Sequence, residues 1–525
     1  MEIVYQFILV KGILIPMTET NLKSNLIGQR EIRLSKLAKI KELGINPYPA
    51  KTYKQHDNGY IVKNFEEYDG KETILAGRIT AWREHGKLIF AVIKDESGSI
   101  QVMIRKDSLL GDTTQGLLNW GNLNLLDISD FIEVSGVIGK TRTGEISIMA
   151  QKIRLLTKAL RPMPKRLKNK EQMFRRRYLD LNISPERKEM FRRKAQFWQV
   201  QRDFLKSKGF MEVEVPVLEL VTGGADATPF VTHHNALHQD LYLRISTELF
   251  QKRLIGGGYE KIYTLGPNFR NEGMDDEHLQ EYYQLEWYWA YADFRDNMKL
   301  ARELFLEIAQ KVYGKTEFST RGHTFDLAEE WKEVDYVELL KERFGVDIFN
   351  ASQEELLSIV EKNGIAIGEK INKNRLVDTL WKSVRSTIDG PIFLINQPTF
   401  LSPLAKVNEK DKRVTERFQI VIAGSELGNG YSEINDPVDQ LDRFLEQQKL
   451  REEGDSEAHM LDIDFVEMLE YGMPPTSGYG QSERIFWFLE DITGREGTFF
   501  PQVKNEIDNT TREIYKDKVR FNGKK

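Results

Sequence analysis

The chain has 525 residues, with 75 basic and 80 acidic side chains, and its net charge of −5 gives no overall indication of nucleic-acid binding. This length predicts two or three domains. The sequence has no cysteine, which excludes disulfides, thiol catalysis and cysteine-bound zinc and is compatible with a cytoplasmic enzyme.

The N-terminal segment, residues 1–16, is apolar but short, and Lys11 and Gly12 interrupt it. Without a basic leader or a small-residue cleavage site, it predicts neither a signal peptide nor a membrane span. Met17 begins a polar stretch, and a translation start there is one hypothesis, which the intact mass of the natively expressed protein would test. We assign residues 1–70 to an N-terminal extension and helix.

A β-rich segment follows, in which short runs such as ILAGRITAW, KLIFAVIKD and SIQVMIR are separated by Gly, Asp and Ser turns. The sequence RTGE at Arg142–Glu145 is typical of a hairpin turn. Five strands in a segment of this size predict a small closed barrel, for which an OB-fold is the commonest architecture. We place this domain at residues 71–157; a generic small β-domain is the alternative.

The next segment, residues 158–184, is a basic linker. Between Lys158 and Arg177 there are nine basic residues and the single acid Glu171. A solvated connector is one interpretation, and its position beside a nucleic-acid-type barrel favours contact with phosphate.

The remaining domain, residues 185–504, begins with a long helix, because Met190, Phe197 and Phe204 recur every seven residues on one apolar face. Strands and helices then follow without regular βαβ alternation, which predicts an α+β fold with an antiparallel sheet. Residues of about 316–400 are helix-rich and resemble an insertion. Residues 505–525 form a polar C-terminal tail.

Two motifs have side chains suited to anionic ligands. Arg270 in FRNEG can make a bidentate contact with a phosphate or a carboxylate. In SGYGQSERI, Ser477–Ile485, the glycines allow a backbone to approach a flat ligand, and Arg484 can stack on an aromatic base. A glycine turn before a core helix is the alternative interpretation of the second motif.

Several carboxylates lie on short predicted strands beside aromatic residues. Gln284, Glu286 and Tyr288 alternate and therefore share one face of a strand. Because buried acids need cations, this pattern suggests a binding site rather than a solvated surface. The other members of the set are Glu248, Glu426, Asn429, Tyr431 and Glu433.

These motifs together resemble class II lysyl-tRNA synthetases, from about Gln29 to Gln502. The three class motifs correspond to the helix ending in GFMEVEVPVL, to FRNEG…EHLQEYYQLEW and to SGYGQSERIFWF. Longer stretches resemble the lysine-specific branch, namely GGADATPFVTHHNAL, YLRISTELFQKRL, RRRYLDL and SELGNGYSEI.

The resemblance implies a cytoplasmic, homodimeric enzyme with an OB barrel for the anticodon and a class II catalytic domain. Such an enzyme activates lysine with ATP and Mg²⁺ and transfers it to the 3′ end of tRNA(Lys), releasing AMP and diphosphate. The implied lysine ligands are Gly224, Glu248, Arg270, Glu286, Tyr288, Asn429, Tyr431 and Glu433. The implied ATP ligands are Arg270, Glu272, His278, Tyr282, Glu426 and Arg484, with Arg270 and Arg484 catalytic and Glu426 binding the metal. The implied anticodon ligands are Arg83, Phe90, Gln101 and Glu145.

The roles implied within the catalytic site are specific. Arg270 would contact both the lysine carboxylate and the α-phosphate of ATP. Glu248 and the Gly224 carbonyl would hold the α-amino group, and Glu286, Tyr288 and Glu433 would surround the ε-ammonium. Adenine would lie between Tyr282 and Arg484.

Three positions depart from the family pattern. Ser482 precedes Glu483–Arg484 in a glycine motif that is one residue shorter than usual. Glu277 stands where the family commonly has an arginine, so that a γ-phosphate contact is lost or taken over by another basic residue. Gln419 stands where a metal-binding glutamate is common, which leaves the number of metal ions open.

Three alternatives stay open at this stage. A class II ligase for aspartate or asparagine shares the layout but does not call for Glu286 and Glu433. An enzyme that lysylates a protein would lack the barrel. A degenerate RNA-binding paralogue is supported by the three departures alone.

Overall fold

The computed structural model describes residues 7–10, 13–16, 19–225, 227–366, 372–453 and 458–520. The hypothetical start at Met17 lies outside these residues. The chain forms two compact units, the first comprising Met1–Lys168 with Lys504–Lys525 and the second comprising Asn169–Val503. None of the helices among the described residues is long and apolar enough to cross a membrane.

The first unit contains a closed five-stranded barrel. It is preceded by β1 (Phe7–Val10), β2 (Ile13–Pro16), α1 (Glu19–Glu42), α2 (Asn58–Lys63) and α3 (Phe65–Tyr68). The barrel strands are β3 (Glu72–His85), β4 (Leu88–Lys94), β5 (Ser99–Arg105), β6 (Phe131–Lys140) and β7 (Ile146–Thr157). Their order is β3-β4-β5-β7-β6, and only β5 and β7 run parallel.

The barrel closes because alternate residues of each strand are apolar and point inwards. In β4, for example, Ile89, Ala91 and Ile93 are buried while the residues between them are partly exposed. The turn at Thr141–Glu145 joins β6 to β7, with Gly144 at a positive φ of 86°. The predicted OB-type barrel is therefore confirmed.

The second unit alternates helices and strands irregularly. Its first half contains α4 (Lys170–Arg175), α5 (Arg177–Ile183), α6 (Pro185–Ser207), β8 (Met211–Glu212), β9 (Leu218–Glu219), β10 (Val231–His234), β11 (Gln239–Leu243), α7 (Glu248–Gly256), β12 (Lys261–Phe269), β13 (Glu281–Ala290) and α8 (Phe294–Ile308). Its second half contains β14 (Glu317–Thr320), β15 (His323–Asp326), β16 (Lys332–Asp335), α9 (Tyr336–Phe344), α10 (Gln353–Lys362), α11 (Lys373–Arg385), β17 (Ile392–Ile395), β18 (Arg417–Ile422), β19 (Ser425–Ser432), α12 (Pro437–Glu452), α13 (Ile463–Tyr471), β20 (Thr476–Ser482) and α14 (Arg484–Leu489).

An eight-stranded sheet organises this unit, in the order β16-β17-β18-β19-β20-β13-β12-β8. Its interior pairs are antiparallel, which confirms the predicted sheet, but β16/β17 and β12/β8 at its two edges are parallel. Parallel neighbours need long crossovers, and α9–α11 supply one between β16 and β17. The segment of about 316–400 thus combines three helices with strands of the main sheet.

One face of the sheet packs on the main hydrophobic core, and the other is left for polar side chains. Leu285 and Trp287 of β13 are fully buried against residues of α6 and α8. Between them Glu286 points to the opposite face, as the strand alternation requires. In α6 the predicted apolar face is confirmed, since Met190, Phe197 and Phe204 are all buried.

The C-terminal segment adds one helix, α15 (Asn509–Tyr515), to the first unit. The guanidinium of Arg30 in α1 lies 5.7 Å from the centre of the Tyr515 ring. The last residues, 521–525, lie outside the described part of the chain.

Candidate active site

The polar face of the large sheet contains a cavity of about 240 Å³. It lies over β13, β19 and β20, which pair as neighbours in the middle of the sheet. All eight residues predicted from the sequence to contact lysine line this cavity: Gly224, Glu248, Arg270, Glu286, Tyr288, Asn429, Tyr431 and Glu433. Residues that are far apart in the sequence therefore meet here.

Three buried carboxylates dominate the inner end of this cavity. Glu248 begins α7, Glu286 lies on β13 and Glu433 follows β19. The Tyr431 hydroxyl donates to Glu248 at 2.7 Å, and the Ser246 hydroxyl donates to Glu286 at 3.2 Å. Burial raises the pKa of Glu286, and the nearby charge of Glu248 raises it further. Acids in this situation favour a cationic ligand.

A lysine of the protein itself, Lys252, lies next to two of these acids. Its Nζ donates to Glu248 Oε1 at 2.6 Å and forms an ion pair with Glu433. Burial alone would lower the pKa of Lys252, but the charges and hydrogen bonds of Glu248 and Glu433 outweigh burial and raise it. The sequence analysis missed Lys252, although its spacing of four residues from Glu248 is the spacing of an ion pair on a helix.

Asn429 presents its amide nitrogen to the cavity. Arg417 Nε donates to Asn429 Oδ1 at 2.8 Å. Because a guanidinium can only donate, this contact fixes the amide so that Nδ2 is available to a ligand acceptor such as a carboxylate. Arg417 also lines the cavity and was not predicted.

Two glycines of the cavity wall cannot be replaced without a clash. Gly224 has φ +85°, and a Cβ there would lie 2.7 Å from the Ser246 hydroxyl. A Cβ on Gly478 would overlap Glu433 Oε1 and would lie 2.5 Å from Cε1 of Tyr288. Both positions therefore need glycine for the acids to come this close to the backbone.

A second cavity of about 200 Å³ adjoins the first. All six residues predicted to contact ATP line it: Arg270, Glu272, His278, Tyr282, Glu426 and Arg484. Arg270, on the loop after β12, lines both cavities. Its Nε is buried and has no hydrogen-bond partner among the described residues, so a ligand oxygen would satisfy it.

The aromatic and guanidinium groups of the second cavity are held by neighbours. Arg484 Nη2 lies 2.8 Å from His278 Nε2, and Arg484 Nη1 donates to the Glu426 carbonyl at 3.3 Å. The Arg270 guanidinium lies 5.4 Å from the centre of the Tyr282 ring. After the shortened glycine motif, the Ser482 hydroxyl accepts from the Arg484 backbone N–H at 3.2 Å. The placement of adenine between Tyr282 and Arg484 stays a prediction.

Glu277, the unexpected acid, is held by two donors. Arg321 in the β14–β15 turn donates to its carboxylate, and the Ser425 hydroxyl donates at 3.1 Å. Arg484 Nε lies 3.8 Å from the same carboxylate. A basic residue missed by the sequence analysis, Arg321, is thus brought to the edge of the second cavity.

Glu426 reaches the polar face because of a β-bulge. The register pairs Gln419 with Asn429 but Val421 with Glu426, which leaves Leu427 as an extra residue in β19. Strand alternation alone would put Glu426 and Asn429 on opposite faces, and the extra residue restores them to the same face.

Glu426 and Gln419 together form the oxygen-rich part of the second cavity. Gln419 Nε2 donates to Glu426 Oε2 at 3.0 Å, while Trp381 Nε1 and Arg385 Nη1 donate to Oε1 at 2.8 and 2.9 Å. Burial would raise the pKa of Glu426, but Arg385 and the hydrogen bonds lower it, so the carboxylate is charged. Gln419 Oε1 accepts from Gln397 Nε2 at 3.2 Å, so the Glu426 carboxylate is the group that fits a magnesium ion, whose other ligands would be phosphate oxygens and water.

The four predicted anticodon residues lie on the barrel. Arg83 and Phe90 are cross-strand partners in β3 and β4, and Gln101 on β5 is opposite Val92, two residues from Phe90. The Ser147 hydroxyl donates to Gln101 Oε1 at 2.9 Å. Glu145 is exposed in the turn before β7. Three of the four thus share one face of adjacent strands.

Two family models match the two units separately, and whole relatives match most of the chain. Residues 169–504 match the model of the family described as "tRNA synthetases class II (D, K and N)", and residues 73–156 match that of the "OB-fold nucleic acid binding domain". The chain is 45% identical over 486 residues to the lysine–tRNA ligase of Thermotoga sp. (strain RQ2), which covers 90% of this chain and 96% of that protein.

Two further relatives have the same name and similar coverage. The lysine–tRNA ligase of Fervidobacterium nodosum is 42% identical over 489 residues, covering 91% of this chain and 94% of that protein. The lysine–tRNA ligase of Pelotomaculum thermopropionicum is 40% identical over 488 residues, covering 90% of this chain and 94% of that protein. With two adjoining polar cavities on an antiparallel sheet and a separate OB barrel, the chain belongs to the class II tRNA synthetases of the D, K and N family.

Proposed function

We propose that this protein is a lysine–tRNA ligase. It activates lysine with ATP to lysyl-adenylate and transfers the lysyl group to the 3′ end of tRNA(Lys), with release of diphosphate and then AMP. The observation that carries the proposal is the set of three buried carboxylates, Glu248, Glu286 and Glu433, around one cavity. The names of the similar proteins agree with it.

The carboxylates select the amino acid. The family includes enzymes for aspartate and asparagine, but an acidic or neutral side chain would leave Glu286 without a cationic partner, because Lys252 pairs only with Glu248 and Glu433. Leaving a buried polar group unpaired costs roughly 1–3 kcal/mol, and more when it is charged. In the proposed complex Glu248 and the Gly224 carbonyl hold the α-ammonium, and Glu286, Tyr288 and Glu433 surround the ε-ammonium.

Activation brings two anions together. A carboxylate oxygen of lysine attacks the α-phosphorus of ATP, the bond from that phosphorus to the bridging oxygen breaks, and diphosphate leaves. Arg270 lines both cavities and neutralises the lysine carboxylate and the α-phosphate at their junction, while Asn429 Nδ2 donates to the carboxylate. The chemistry therefore depends on positioning and charge rather than on a protein nucleophile.

Transfer of the lysyl group to tRNA takes place in the same two cavities. A ribose hydroxyl of the terminal adenosine attacks the carbonyl carbon of the adenylate, the bond from that carbon to the phosphate oxygen breaks, and AMP leaves as the hydroxyl proton is lost. The barrel residues Arg83, Phe90, Gln101 and Glu145 would read the anticodon, with Phe90 stacking on an unpaired base.

Magnesium would be bound by Glu426, with Gln419 beside it. When bound, it would neutralise charge on the phosphates of ATP. In the second cavity, adenine would lie between Tyr282 and Arg484, with Glu272 and His278 at the nucleotide.

The assembly is proposed to be a cytoplasmic homodimer. Around β9–β11 several apolar side chains are exposed, as expected of a surface that another copy covers: Val217, Leu218, Leu220 and Val231. Sedimentation of the purified protein would test the dimer.

A degenerate RNA-binding paralogue is the alternative from another class. The three departures from the family pattern support the paralogue, but the predicted lysine and ATP ligands all line the two cavities. ATP–pyrophosphate exchange with a panel of amino acids, followed by tRNA charging, separates these possibilities. We expect exchange with lysine; exchange with aspartate alone would contradict the proposal, and no exchange with any amino acid would favour the paralogue.

A further inference from the structure

Lys252 is a cation built into the wall of the amino-acid cavity. It lies on α7, one helical turn after Glu248, and its side chain is fully buried. It does not itself line the cavity, whereas its partners Glu248 and Glu433 do. The ammonium therefore sits behind these two carboxylates, on the side away from the ligand space.

At the inner end of the cavity, the negative charges of the acids outnumber the positive charge of Lys252. Glu248, Glu286 and Glu433 bring three negative charges, and Lys252 brings one positive charge. Two negative charges are left for a ligand. Bound lysine would bring two ammonium groups, while its carboxylate would be neutralised by Arg270. Among these four side chains, the unbalanced charge thus equals the number of ammonium groups of the proposed substrate. Arg417, which also lines the cavity, is bonded to Asn429.

We infer that Lys252 is a specificity-determining residue, whose charge favours the ionised form of Glu433 so that the cavity requires an amino acid with two ammonium groups. This inference rests on the proposed lysine ligase function. Without Lys252, three carboxylates would share a buried space, and like charges so close cannot all stay ionised near neutral pH. Protonated carboxyl groups would bind ammonium poorly and would tolerate a neutral side chain.

Other polar and aromatic groups lie near Lys252 and the carboxylates that it contacts. On β13 the Tyr288 hydroxyl donates to Glu286 at 3.4 Å. On β19 the Tyr431 hydroxyl donates to Glu248, and the centre of the Tyr431 ring lies 5.6 Å from Lys252 Nζ. From α13 the facing group is the uncharged ring of Phe465, 5.7 Å from Nζ. The neighbouring Asp462 is paired with Arg253, and Arg417 is bonded to Asn429.

Burial supports the direction of the expected effect. It raises the pKa of Glu433 well above its ordinary value, although Lys252 opposes this shift. Glu433 Oε1 has no hydrogen-bond partner among the described residues that would replace the ammonium. Loss of the lysine charge would therefore raise the pKa of Glu433 further.

The test compares Lys252→Met and Lys252→Gln with the wild type in ATP–pyrophosphate exchange. Lysine KM and ATP KM are measured at several pH values between about pH 6.5 and 8.5. Lys299→Met, on the surface of α8, is the matched control, because the Lys299 side chain is 76% exposed. Exchange is also measured with 6-hydroxynorleucine, in which a hydroxyl replaces the ε-ammonium.

We expect both variants to raise the lysine KM at pH 7 by at least about tenfold, corresponding to one pKa unit, with little change in ATP KM. The defect should shrink as the pH rises, and the preference for lysine over 6-hydroxynorleucine should narrow. The control should match the wild type.

Three outcomes would overturn the inference: an unchanged lysine KM, an equal loss at every pH with ATP KM rising in parallel, or variants unfolded across the whole pH range. The last two would make Lys252 purely structural. ATP–pyrophosphate exchange by the wild type with lysine tests the proposed function separately. If the wild type fails to activate lysine, the proposed function itself fails, whereas a wild type that activates lysine leaves only the role of Lys252 at stake.

Discussion

Arg321 donates a hydrogen bond to the carboxylate of Glu277, a residue 44 positions earlier in the chain. Glu277 lines the second cavity, the proposed ATP site, where its carboxylate would repel the phosphates of ATP if Arg321 were lost. We therefore expect Arg321→Met to raise the ATP KM about tenfold, since an unpaired charge near the ligand costs about 1–3 kcal/mol. Lysine KM should change little.

The double variant Arg321→Met/Glu277→Gln is the control for this pair. Removing both charges should recover most of the lost ATP affinity in pyrophosphate exchange. If Arg321→Met leaves the ATP KM unchanged, the pair has no role at the nucleotide.

Arg270 should be indispensable for activation. We expect Arg270→Ala to reduce ATP–pyrophosphate exchange by at least about a thousandfold, because the lysine carboxylate and the α-phosphate lose their shared cation. Arg295→Ala, which removes an exposed arginine paired with Glu333, should leave exchange intact. Substantial exchange by Arg270→Ala would remove Arg270 from the proposed site.

Phe90 on the barrel should matter for tRNA but not for activation. We expect Phe90→Ala to leave pyrophosphate exchange intact and to raise the tRNA KM about tenfold in charging assays, since stacking on one base contributes about 1–3 kcal/mol. The matched control is Leu110→Ala, which removes an apolar side chain that is 60% exposed elsewhere in the same unit. Normal charging by Phe90→Ala would make the anticodon assignment wrong.

Gln419 should make the nucleotide cavity less dependent on metal. Its Nε2 donates to Glu426, so Gln419→Glu would replace a hydrogen bond by repulsion between two carboxylates. We expect the variant to have a lower Tm in EDTA and to regain stability when excess Mg²⁺ is added, whereas the wild type changes little. An equal Tm in both conditions would show that the added acid recruits no cation.

Glu219 on β9 should make stability dependent on pH. Burial raises its pKa to about 8, despite the opposing charge of Arg244, and its Oε2 has no hydrogen-bond partner among the described residues. A glutamate titrates near 4.3 when unfolded, so its contribution to stability is full below that pH and is lost as the pH rises through about 8.

Replacing Glu219 by glutamine removes this titration. We expect the stability of Glu219→Gln relative to the wild type to improve as the pH rises from about 5 to 8, by at most about 1.4 kcal/mol per pH unit. Glu214→Gln, at an exposed position nearby, should show no such trend. Urea unfolding at several pH values measures the difference, and parallel curves for Glu219→Gln and the wild type would contradict it.

The sequence predicts the barrel and α6 well because their patterns are local. Alternation in β4 and seven-residue spacing in α6 each identify the buried face directly. Local pattern indicates Arg270, Arg484 and the carboxylates on the strands as a binding set, and the resemblance to a known family divides these residues between two ligands. It also drew attention to Glu277 as an acid at an unexpected position.

The remaining features depend on contacts between distant segments. Arg321 reaches Glu277 only through the β14–β15 turn, and Arg417 reaches Asn429 only across a strand pair. The charge pair of Lys252 and Glu248 is visible in the sequence, but its burial beside Glu433 is not. No local pattern records which distant residue a side chain will meet.

The extra residue in β19, Leu427, shifts the alternation of side chains between the two faces of the strand by one residue. After Leu427, Asn429 and Tyr431 line the first cavity; before it, Glu426 lines the second cavity, which Asn429 also borders. Shortening the strand by this one residue would turn Glu426 into the hydrophobic core while Asn429 and Tyr431 kept their places. The presence of an extra residue at position 427 therefore matters more to the placement of Glu426 than which amino acid it is.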